Sequence, residues 1–168
     1  MASFRRSKND RLKSILVAVT GESCDDESVK LACELLDPQD GELYIVYVIE
    51  VERGLPVDAE ISPATARAEQ VLKRAEAVSK AFSGNTNAEM LQSRRVGPAL
   101  VHEAVDRMVS AIVLGVPYTK LYGSFSLGDT VPYVLKNAPC KVVLWREPMT
   151  VLSSVPETDN RDSTQTKD

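Results

Sequence analysis

The chain has 168 residues, 43% hydrophobic and 26% charged, which suits one globular domain with a sizeable core. A formal net charge of -4 argues against general attraction to nucleic acid, and apolar runs such as 15–19 and 43–49 fall far short of a membrane span. Cys24, Cys33 and Cys140 lack CxxC spacing, so neither a disulfide framework nor a zinc site is expected.

Residues 1–10 carry Arg5, Arg6 and Lys8 and read as a flexible basic arm, either a solvated leader or a contact for an acidic partner. No cleavage pattern follows it, and a cytoplasmic protein is the expectation. Residues 14–20 form an Ile- and Val-rich run ending at Gly21, a buried strand. Val29, Ala32, Cys33 and Leu36 then fall on one helical stripe that Pro38 stops. A second strand follows over 43–49. Residues 50–62 lack either period and read as a long irregular loop.

Ser62 before Pro63 predicts a capped helix start, and Val71, Ala75, Val78 and Phe82 continue it until Gly84. A third strand is expected over 88–93. Gly97 and Pro98 open a helix whose stripe is Leu100, Val101, Ala104, Val105 and Met108. A fourth strand, 111–114, closes at Gly115. A glycine-marked loop then leads to a short helix over 130–137 and a fifth strand over 140–145. From Pro148 the chain is polar and aperiodic, the mark of a disordered tail, which leaves one domain over 11–147. Strands alternating with helices predict an α/β fold, a doubly wound parallel sheet with helices on both faces.

Ligands of such sheets settle beyond the strand C-termini, where chain order reverses. The expected lips are Thr20 with Gly21 and the loop holding Gly115, Gly123, Gly128, Ser124, Ser126 and Thr130. Bare glycines and a helix N-terminus suit a phosphate-bearing ligand, although turn glycines have the simpler explanation of being turn residues. His102 has Glu103 beside it, and adjacent helix residues do not share a face. No nucleophile, base and orienting acid assemble around it, so a non-enzymatic protein is expected. Trp145, closing the last strand, reads as a packing or interface residue.

The segments ILVAVTGE, VGPALVHEAVDRMVSAIVLG and LGDTVPYVLKNAPCKVVLW carry a resemblance that spans residues 11–146. The chain resembles the universal stress protein family. That resemblance implies strand order 3-2-1-4-5, a stress-linked regulatory role, a homodimer and, in one branch, a bound adenine nucleotide such as ATP. Nucleotide-binding members have a loop of the form G-x2-G-x9-G-[S/T], and here Gly115 and Gly128 stand at the outer glycines.

Tyr118 takes the place of the middle glycine, Asp129 that of the phosphate-touching hydroxyl, and Thr20 that of a ligand-facing aspartate. The resemblance implies contacts from Ala18, Val19, Thr20, Val48, Leu114, Gly115, Tyr118, Gly128, Asp129, Thr130 and Val131. Asp129 has a second reading as a helix N-cap. The expected function is a stress-response regulator that holds an adenine nucleotide weakly or in an altered pose; the alternative is a ligand-free interaction module with a regulatory protein partner. The homodimer is expected at the fifth-strand edge, where Val142, Val143, Leu144 and Trp145 form an apolar pairing template.

Overall fold

A computed structural model of the protein describes residues 11–82, 84–118, 120–121 and 124–149. The arm over 1–10, Gly123 and nearly all of the tail lie outside the described residues.

Strand β1 (Ser14–Val19) is the centre of the fold, buried from Ile15 to Val19 because both faces of the sheet are covered there. Helix α1 (Asp25–Leu35) follows, with Asp25, Asp26 and Glu27 in its first turn, where acidic side chains suit the positive end of the helix dipole. Strand β2 (Glu42–Glu50), helix α2 (Ser62–Ser79), strand β3 (Asn85–Ser93), helix α3 (Val96–Asp106) and strand β4 (Ala111–Val116) come next. A two-residue hairpin pairs β5 (Lys120–Leu121) with β6 (Ser124–Phe125), and helix α4 (Thr130–Asn137) leads to β7 (Lys141–Arg146).

The main sheet is all parallel in the order β3-β2-β1-β4-β7, which is 3-2-1-4-5 when only its own strands are counted. Strand alternation splits the core in two. Ile15, Val17, Leu43, Ile45 and Val113 face one layer and meet Val29, Ala32, Leu72 and Ala75 of α1 and α2. Leu16, Ala18, Val46, Ile112 and Leu114 face the other and meet Leu100, Ala104, Val131 and Val134 of α3 and α4. Truncating one of the fully buried residues among these, such as Ile45 or Ile112, to alanine would cost about 2–5 kcal/mol.

Some boundaries depart from the sequence reading. Strand β3 begins at Asn85, before the expected 88, because pairing with Glu42 and Leu43 of β2 extends it through polar residues. Ser62 is the first residue of α2 rather than its cap, and the cap position, Ile61, makes no side-chain capping bond. Val105 and Met108 fall off the buried stripe of α3: both are exposed, and Met108 lies past the helix end at φ 50. The irregular segment after β2 is pinned rather than loose. Arg94 donates to the carbonyls of Val51, Glu52 and Leu55, and Gln92 to that of Ala59.

Candidate functional site

The C-terminal ends of β1 and β4 diverge where chain order reverses, and a cleft of about 250 Å³ opens between them. Ala18, Leu114 and Val116 form its floor, Val96 and Leu100 of α3 one wall, and Val131 of α4 another. Pro117, Leu127 and Gly128 close the outer side, while Thr20, Ser126 and Thr130 supply hydroxyls. Apolar walls with a few placed polar groups are the usual build of a small-molecule site. Among the described residues none of those lining the cleft is basic.

The lip at Thr20 is held by a buried carboxylate. Asp25 accepts hydrogen bonds from the backbone N–H of Thr20 at 3.1 Å and of Gly21 at 2.7 Å. Burial raises the Asp25 pKa above its ordinary 3.8, against the lowering effect of those amides. Gly21 takes φ 87, a left-handed turn that suits glycine. Glu147 braces the same region, donating its N–H to the Val116 carbonyl at 2.9 Å. Its carboxylate accepts from Ser23 Oγ at 2.8 Å and from the Tyr118 N–H at 3.2 Å.

Seven of the eleven implied contact residues gather in the cleft: Ala18, Thr20, Leu114, Gly115, Gly128, Thr130 and Val131. The other four stand elsewhere. Val19, next to Ala18 on a strand, packs against the α1 and α2 layer. Val48 is on the cleft's face of the sheet but packs into the core beside it. Tyr118 stacks on Phe125 with ring centroids 5.4 Å apart, and the Arg146 guanidinium lies over it, so its ring does not line the cleft.

Asp129 stands at the N-cap of α4, but its side chain makes no capping bond. It lines a smaller neighbouring hollow with Glu50, Arg95 and Tyr133. Gly128, at φ 65, lines the cleft, while Asp129 beside it lines the hollow.

Gly115 is needed for close packing as well as for the cleft. A Cβ there would lie 2.4 Å from Ser28 Oγ and 3.0 Å from Cys24 Sγ. Burial pushes the Cys24 thiol up to about 11, so it stays protonated and unreactive at neutral pH. His102 is exposed and pairs with Asp106 at 3.2 Å, away from the cleft. Among the described residues no group of His, Cys, Asp and Glu is placed to hold a metal ion, and no helix is long and apolar enough to cross a membrane.

The sequence reading missed Val96, Leu100, Val116 and Leu127. Val116 was within reach, since it stands two residues past Leu114 and so on the same face of β4. Val96 and Leu100 carry no such signal, because a cleft wall on a helix looks like core.

A model of the universal stress protein family matches residues 11–146. Universal stress protein MJ0531 of Methanocaldococcus jannaschii is 25% identical over 152 residues, covering 87% of this chain and 89% of the relative. The universal stress protein from Archaeoglobus fulgidus in complex with dAMP has a TM-score of 0.60 at 17% identity, covering 78% of this chain and 95% of that one. A universal stress protein in complex with cAMP has a TM-score of 0.64 at 15% identity, covering 81% and 98%.

Proposed function

The chain belongs to the universal stress protein family, and from that premise we propose that it is a non-catalytic stress regulator whose cleft takes the adenosine part of an adenine nucleotide. The observation that carries this is the cleft itself: seven implied contact positions converge on an apolar cavity of about 250 Å³, rimmed by Thr20, Ser126 and Thr130 hydroxyls. Relatives of the same fold are described with dAMP and cAMP, both monophosphates.

The triphosphate is the poorly matched part. Among the described residues the cleft's lining supplies no basic side chain, and Asp129 brings negative charge to the start of α4, where a phosphate chain would otherwise meet free N–H groups. ATP therefore binds weakly, and a nucleoside or monophosphate binds better. A cytoplasmic homodimer paired through the outer edge of β7 completes the reading, supported by exposed Leu144 on a strand bonded on one side to β4.

Denaturing the freshly purified protein and reading its supernatant for adenine absorbance tests the ligand, with titration of adenosine into the stripped protein as the second arm. Released adenine or saturable adenosine binding supports it. Neither one would leave the ligand-free interaction module, a reading favoured by Leu55 and Val57, which stand exposed on the pinned segment after β2.

A further inference from the structure

Arg95 is an exposed cation that meets an aromatic ring rather than a carboxylate among the described residues. It immediately precedes α3, and its guanidinium lies over the Tyr133 ring of α4, 5.6 Å from the centroid. Glu50 and Asp129 line the same hollow, of about 70 Å³, yet Arg95 forms an ion pair with neither among the described residues. Val96 and Thr130 border both this hollow and the apolar cleft, so the two are neighbours along one surface.

We propose that Arg95 determines the ligand's phosphate count: it grips the single phosphate of an adenosine monophosphate whose base lies in the apolar cleft. The proposal rests on the adenosine-binding reading of that cleft. A guanidinium held by an aromatic face presents a planar fork that matches phosphate oxygens two at a time. Arg95 offsets part of the charge of one phosphate group, which carries nearly two negative charges at neutral pH. Further phosphates would bring more negative charge beside the carboxylates of Glu50 and Asp129, which outnumber the cations among the described residues lining the hollow. The cation thus stands at the start of α3, outside the glycine-marked loop.

Calorimetric titration of wild type, Arg95→Gln and Arg95→Lys with adenosine and with AMP tests this. Loss of a charge-assisted hydrogen bond predicts AMP affinity about tenfold or more weaker in Arg95→Gln, with adenosine affinity unchanged. Arg95→Lys, keeping the charge without the fork, falls between. If AMP and adenosine weaken equally in Arg95→Gln, Arg95 acts only by supporting Tyr133, and the proposal fails. It also fails if adenosine binds and AMP is indifferent to the substitution. If adenosine does not bind wild type at all, the cleft reading fails and takes this proposal with it.

Discussion

The carboxylate of Asp25 accepts the backbone N–H of Gly21 at 2.7 Å, so the first turn of α1 holds the lip of the cleft from beneath. Asp25 is almost fully buried, and its raised pKa sets a sign. The folded state favours the protonated carboxyl. The stability this lends is full below the ordinary 3.8 and is lost as pH rises through the folded value. Asp25→Asn keeps an acceptor without the charge. Its stability relative to wild type should rise between acid and neutral pH, read from urea midpoints; parallel curves would contradict this. Asp25→Ala orphans the Thr20 and Gly21 amides and should cost about 1–3 kcal/mol at either pH.

Gly115→Ala should destabilise the protein by about 1–3 kcal/mol, because its Cβ would overlap Ser28 Oγ. Adding Ser28→Ala removes that oxygen and should recover most of the loss in chemical denaturation. If the double variant is no better than Gly115→Ala alone, the clash lies with Cys24 or the backbone.

The outer edge of β7 gives a separate prediction. Leu144 is 37% exposed there, and Leu135 on the preceding helix is 52% exposed. Wild type should sediment as a dimer at micromolar concentration, and Leu144→Lys should sediment as a monomer with an unchanged circular dichroism spectrum. A monomeric wild type, or a dimer that survives Leu144→Lys, would remove β7 as the interface.

The parts of the fold that read clearly in the sequence were those where one period dominates. Residues 15–19 are apolar without interruption because β1 is covered on both faces, and Val29, Ala32 and Leu36 repeat with the helix because α1 covers one of them. The start of β3 did not read, since Asn85, Thr86 and Asn87 owe their strand conformation to pairing with β2 rather than to burial. Nor did the β5–β6 hairpin, whose strands are two residues each, too short to show alternation.

At the site, position along the chain gave the cleft's location at Thr20 and the loop after β4, and the family resemblance gave seven residues of its lining. The side chains of Tyr118 and Asp129 could not be placed that way: the first is taken up by Phe125 and Arg146, and the second lines a different hollow. Asp25 reads as an ordinary acidic first-turn residue until its contact with Gly21 is seen.

In the proposed function the cleft accepts adenosine while the charge at the start of α4 rejects a phosphate chain. Two unit charges about 4 Å apart repel by roughly 1 to 4 kcal/mol between bulk-water and near-surface screening, which is about fivefold to several hundredfold in affinity. The most direct measurement is calorimetric titration of wild type and Asp129→Ser with ATP and with adenosine at low and high salt. Adenosine should bind both proteins alike, ATP should bind Asp129→Ser at least about fivefold more tightly than wild type, and added salt should narrow the gap. Low-micromolar ATP binding by wild type, unchanged in Asp129→Ser, would contradict it.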